Sequence, residues 1–232
     1  MGGFLQPSPG QEPQPPATAV QSLPAGREIT ELAQMKLLSE LTPRLQRFAP
    51  SERRAIYLAV AVERQLLPAT EAVDLLQALG SVEGFDRAAR QLCGYGSPAR
   101  DGALFELRVA RAFVERKMQV REIRHPFKDD PAKRSTDIDL VVESPAGHLI
   151  AIECKSGAAP TDSVNADALT LQHFIAKHPG ARAAFSFAGK PTALSKKLLE
   201  IKGIAVLSGG PEVQADALWE LTSATEKSKA GL

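Results

Sequence analysis

Apolar and polar positions change their spacing along this chain, and the changes mark its parts. From Arg27 to about Cys93 apolar residues recur every three or four positions, as in ITELAQMKLLSELTPRLQRF, where Ile29, Leu32, Met35 and Leu38 share a face. That spacing predicts a small module of three or four helices. Ser51 and Glu52 open RRAIYLAVAVERQLL, and Thr70 and Glu71 open AVDLLQALG, which closes on Gly80; these are residue types that start and stop helices. The stretch CGYGSPARDG is dense in Gly and Pro and predicts a hinge. Asp101 is placed to cap a further helix, GALFELRVARAFVERK, with Leu104, Leu107, Val109, Ala110, Phe113 and Val114 on one face.

Beyond that helix the composition becomes that of strands. QVREIRHPF, TDIDLVVE and HLIAIECKS are short β segments, and the tight SPAG connection makes the second and third an antiparallel hairpin. A helix (NADALTLQHFIAKH), a strand (ARAAFSFAG), a helix (TALSKKLLEIK) and a strand (GIAVLSG) follow. The order from residue 101 is α-β-β-β-α-β-α-β, which predicts an α/β fold with a mixed sheet flanked by helices. Residues 1–26 are rich in Pro, Gln, Gly and Ser and almost uncharged, so they predict a disordered tail. The chain divides into this tail, a helical module at 27–93, an α/β domain at 94–221 and a flexible C-terminal tail at 222–232.

At 232 residues, 44% of them hydrophobic and 24% charged, the chain can bury one main core. A formal charge of +1 gives no global attraction to nucleic acid or membrane, so a polyanion site would have to be local. The two cysteines, Cys93 and Cys154, lie far apart and outside any zinc-type spacing, which fits a reducing compartment. With no secretory leader pattern and no run of ~20 apolar residues, a cytoplasmic protein without a membrane partner is expected.

The charges in the hairpin change the picture. Side chains alternate faces along a strand, so Leu149, Ala151, Glu153 and Lys155 share one face of LIAIECK, and Asp137 and Asp139 share one face of TDIDLVV. An ordinary half-solvated hairpin with cross-strand ion pairs would show such alternation. Here, however, the acids sit at the ends of very apolar strands. Two carboxylates ~4 Å apart repel by roughly 4 kcal/mol at an effective dielectric near 20, so positive charge belongs between them. A hard divalent cation takes carboxylate oxygens from several elements at once, and it acidifies a water and neutralises phosphoryl charge. Lys155 could then position or deprotonate the attacking water, or shield the transition state.

These residues resemble the motif of the PD-(D/E)xK phosphodiesterase superfamily, the restriction-endonuclease-like fold. The resemblance covers about residues 101–208 and rests on Glu106 in the first helix, Asp139 in DIDLVV, and Glu153 with Lys155 in IECKSG. It implies an αβββαβ core behind an all-helical module, and a Mg²⁺- or Mn²⁺-dependent nuclease acting on phosphodiester bonds, DNA favoured. By resemblance Asp139 bridges metal and scissile phosphate, Glu153 is a further metal ligand, Lys155 is the catalytic lysine, and Glu106 completes the metal shell. Asp137 would support that shell from one step away, and Gln172 would contact a metal-associated water or the phosphate backbone. Ile138 stands where the motif name has Pro, and Ala176 stands where one branch of the family has Tyr. Two further E-x-K runs, Glu115 to Lys117 and Glu200 to Lys202, lie in helical stretches and read as solvated surface, as do His173 and His178.

Between Arg100 and Arg134 ten Lys or Arg face six Asp or Glu, an excess of four. Arg108, Arg111, Arg121, Arg124, Lys128, Lys133 and Arg134 are therefore candidates for phosphate contacts, which give affinity without sequence information. Residues 27–93 could add substrate grip, a homodimer surface or a dock for a protein partner. No helix with clustered base-reading side chains stands out, so site-specific cleavage is not expected. Two other readings stay open: a non-catalytic nucleic-acid- or protein-binding descendant, and an RNA-directed defence nuclease. No dinucleotide-binding fingerprint precedes the strands.

Overall fold

The computed structural model describes residues 45–93, 97–128 and 136–230. The expected N-terminal tail, the stretch 27–44, and Lys133 and Arg134 lie outside them. Twelve elements follow in order: α1 (Pro50–Glu63), α2 (Ala69–Leu79), α3 (Phe85–Leu92), α4 (Ser97–Glu115), β1 (Gln119–Phe127), β2 (Thr136–Glu143), β3 (Leu149–Lys155), α5 (Thr161–Lys177), β4 (Arg182–Phe187), α6 (Ala193–Ile201), β5 (Ala205–Ser208) and α7 (Pro211–Ala230). The protein is thus α/β, with a mixed five-stranded sheet and seven helices among the described residues.

The strands lie side by side in chain order, β1 to β5. The first three are antiparallel, with Leu140 opposite Ile152 and Glu143 opposite Leu149 in the hairpin. The last three are parallel, each joined to the next through a helix, as parallel strands require. Gly147 turns the hairpin at φ 80°, a conformation that favours glycine.

Apolar clusters fill both faces of the sheet. On one face Leu140, Val142, Ile150 and Ile152 pack with Leu107, Val109, Ala110 and Phe113 of α4. On the other Val141, Ala151, Phe185 and Phe187 pack with Val164, Ala168, Leu171 and Phe174 of α5. Each of the Val, Leu, Ile and Phe side chains among them contributes ~1.5–3 kcal/mol on burial. The helix α4 also touches α2, α3 and α7, so it is covered on nearly every side and even its Glu106 is only 4% exposed.

Three boundaries differ from those the sequence pattern predicts. The α4 helix starts at Ser97, so Asp101 lies within it rather than capping it; Pro98 fits the first turn because the missing N–H has no partner there anyway. The α5 helix likewise begins at Thr161, several residues before the apolar spacing becomes regular. Residues 222–230, expected as part of a tail, continue α7.

The loop before α3 covers the outer edge of β1. Ile123 donates its N–H to the Glu83 carbonyl at 2.9 Å. Gly84, at φ 77°, comes so close that a β-carbon there would lie 1.7 Å from the Ile123 carbonyl oxygen. Only glycine fits, and the edge that would otherwise be open to pairing is closed. No helix among the described residues is long and apolar enough to cross a membrane.

Candidate active site

The hairpin pairing between β2 and β3 stops at Leu140 and Ile152. That register, continued by one residue, would set Asp139 opposite Glu153. Past the last pair the Cys154 N–H donates to Asp139 Oδ2 at 2.7 Å, so a side-chain carboxylate occupies it. The local geometry departs from simple alternation at this point. Ile138 belongs to the apolar cluster under α5, whereas Leu140 and Val142 belong to the one under α4.

Glu153 is 8% exposed and accepts from Lys155 Nζ at 2.8 Å. The same ammonium lies 2.8 Å from Asp167 Oδ2, on α5. Lys155 is therefore held between two carboxylates from different elements. Glu106 reaches the same end of the sheet from α4: a side chain at Gly102 would lie 3.9 Å from both its Oε1 and the Ser156 hydroxyl, just past β3. Both Glu106 oxygens are taken by a forked pair from Arg124, Nε to Oε2 at 2.8 Å and Nη2 to Oε1 at 2.7 Å. Arg124 Nη1 also donates to Gln91 Oε1 on α3.

The electrostatics report crowding of negative charge. Burial, then the charges of Glu153 and Glu106, push the Asp139 carboxyl well above the ordinary aspartate range, against the pull of the Cys154 N–H and Lys155. Burial likewise lifts Glu153 to about 7; Lys155 pulls it down, while Asp167 and Glu106 push it up. Burial pulls the Lys155 ammonium down, but Glu153 and Asp167 more than reverse this, so its pKa lies above the ordinary lysine value. Cys154 stays a thiol, its pKa raised by burial and by the same acids.

Whether these residues suit a divalent cation can be judged from their charges. Four carboxyls (Glu106, Asp139, Glu153 and Asp167) against two cations (Arg124 and Lys155) leave two negative charges if all ionise. In kind and in charge the donors fit one hard divalent ion. In this conformation, however, no three His, Cys, Asp or Glu side chains among the described residues converge closely enough to hold a metal. In the same conformation both Glu106 oxygens are taken by Arg124, and Glu153 is bonded to Lys155.

The other candidates fall elsewhere. Asp137 is exposed, at the β1–β2 register position of Pro126, and its charge helps hold Arg124 protonated. Gln172 lies near the opposite end of α5, where its Oε1 accepts from Lys202 Nζ at 3.1 Å. Arg124 points inward to Glu106, with only 15% of its side chain exposed. Lys128 has an exposed side chain, and its carbonyl accepts from Lys177. Four arginines of this stretch meet acids from outside it: Arg108 forks on Glu71 at 2.6 and 2.9 Å, Arg111 meets Asp74 as well as its own helix neighbour Glu115, Arg116 meets Asp216, and Arg121 meets Glu143.

Asp167 and Gln91 are the site neighbours that sequence reasoning missed. A single acid on an amphipathic helix and a single Gln in the last turn of another carry no local signal.

No protein-family model matches the chain. No curated protein matches it either. Among solved structures it is similar to Can2 from Sulfobacillus thermosulfidooxidans, determined in complex with cyclic tetra-adenylate, at 18% identity and a TM-score of 0.38. The likeness covers 83% of this chain and 52% of Can2, so the chain spans about half the length of that protein. A TM-score at this level assigns neither fold family nor function.

Proposed function

We propose that this chain is a metal-dependent nuclease of the restriction-endonuclease-like type, hydrolysing phosphodiester bonds, with DNA the favoured substrate. The reading is carried by one observation: where the hairpin pairing ends, the Asp139 carboxylate accepts from the Cys154 N–H, between Glu153 and Lys155 in the chain, and Lys155 is bonded to Glu153. The element order from α4 to β4, α-β-β-β-α-β, supports the same fold type.

Asp139 and Glu153 would hold the cation, with Glu106 as a third carboxylate once released from Arg124. A divalent ion there would acidify a water and neutralise charge on the phosphoryl oxygens. The rest of the chemistry belongs to the chain. Lys155, kept charged by Glu153 and Asp167, is a poor proton acceptor. Its role is to donate hydrogen bonds and stabilise the negative charge that develops on the phosphoryl group. The Cys154 N–H orients the Asp139 carboxylate, and the apolar strands on either side limit the water around it.

The test is cleavage of supercoiled, linear and single-stranded DNA and of RNA by the purified protein, with Mg²⁺, Mn²⁺ or EDTA. Cleavage should require the cation and fall at least about 10²-fold in Lys155→Ala. Activity that survives both EDTA and Lys155→Ala overturns the mechanism. Binding of nucleic acid without cleavage under any condition favours the non-catalytic reading instead.

A further inference from the structure

Arg124 is unusual in two ways that meet at one point. It sits in the body of β1 with φ 55°, a left-handed conformation that a non-glycine residue adopts only under constraint. Its neighbour Ile123 is pinned on the other edge, by the hydrogen bond to Glu83 and by the close approach of Gly84. In this setting the Arg124 side chain turns into the protein, where its guanidinium forks on Glu106 and is held from a third side by Gln91.

That fork has a chemical consequence. Each Glu106 oxygen receives one charge-assisted bond from Arg124, and the pair is almost fully covered, with 15% and 5% of the two side chains exposed. An arginine does not lose its proton in proteins, so Glu106 is released only by displacement. Glu106 is meanwhile close enough to raise both Asp139 and Glu153. It is thus a carboxylate that acts on both Asp139 and Glu153 while both of its oxygens are held by Arg124.

We propose that Arg124 is the built-in counter-ion of this carboxylate cluster and competes with a divalent cation for Glu106. Arg124 then sets the metal affinity of the site: its fork keeps the three carboxylates from converging, and the cation must displace it to take all three. The Gln91 contact fixes the guanidinium from α3 and so ties the helical segment to the readiness of the site. Arg124 acts through Glu106 and is a positioning residue. The proposal rests on the metal-site reading above.

Mn²⁺ titration of the full chain by calorimetry, with free Mn²⁺ followed by electron paramagnetic resonance, tests it without any cleavage assay. R124Q should bind Mn²⁺ about tenfold tighter than wild type, equivalent to ~1.4 kcal/mol. E106Q/R124Q should lose that gain, and R124K, which keeps the charge but cannot fork, should gain about threefold, or ~0.65 kcal/mol. In EDTA, R124Q should melt lower than wild type, because a buried carboxylate loses its partner, and Mn²⁺ should raise its melting temperature by more than it raises that of wild type. Equal and measurable Mn²⁺ affinity in wild type and a folded R124Q, or a gain that persists in E106Q/R124Q, overturns the counter-ion proposal and leaves the metal site standing. If R124Q does not fold, an unchanged affinity in R124K overturns it. Absence of Mn²⁺ binding in every variant, wild type included, overturns the metal reading and this proposal with it.

Discussion

In metal-free buffer the Glu153 carboxyl should make this protein less stable as pH rises. Burial and the nearby acids lift it from the usual 4.5 to about 7, so the native state holds its proton more tightly than the unfolded chain does. A group raised in this sense contributes stability that is fully present below about pH 4.5 and lost as pH climbs through about 7. At ~1.4 kcal/mol per pH unit over that interval, the loss is about 3 kcal/mol, a large part of the stability of an ordinary domain. Asp139 is raised too, by burial and then by Glu153 and Glu106, and carboxyls that interact in this way share their titration steps. The assay is urea unfolding in EDTA at intervals from pH 4.5 to 8.5, for wild type and Glu153→Gln. Subtracting the variant's profile removes the histidines and surface acids that the two proteins share. The difference should grow by about 3 kcal/mol toward high pH, with wild type the loser, and a saturating divalent cation should reverse most of it at pH 8. Profiles that stay parallel within ~1 kcal/mol would refute the claim that the pair is held above its ordinary range.

Three further outcomes follow from the same geometry. Asp139→Asn should raise stability in EDTA at pH 8 by about 1 kcal/mol or more while abolishing cleavage, and a fall in the urea midpoint would make Asp139 a structural acid. Asp167→Asn should leave Lys155 on Glu153 alone, lowering kcat roughly tenfold, or ~1.4 kcal/mol, with KM little changed and partial rescue by Asp167→Glu; an effect confined to KM would count against a positioning role. Gly84→Ala should cost more than ~2 kcal/mol in thermal or urea unfolding, since a positive φ and contact with the Ile123 carbonyl both oppose a β-carbon. A change under ~0.5 kcal/mol would mean that the loop yields without disturbing β1.

What the sequence determined by itself is local. Strand alternation in TDIDLVVE and LIAIECK, a connection too short for anything but a hairpin, and helical spacing before and after them are properties of neighbouring residues, and they place Asp139, Glu153 and Lys155 near one strand end. Strand composition also separates the E-x-K of β3 from its two helical copies. The tertiary structure decided everything that depends on residues far apart in the chain. Glu71, Asp74 and Asp216 meet the arginines of α4 and of its end, so charges visible in one stretch meet partners from others. Asp167 and Gln91 enter the site only because α5 and α3 pack where they do. The inward turn of Arg124 belongs with the close approach of Gly84 to β1 from the helical side. The physical reason is the same throughout: periodicity tells which face of an element is apolar, but the partner of a buried charge is set by packing and register, to which no short window of sequence has access.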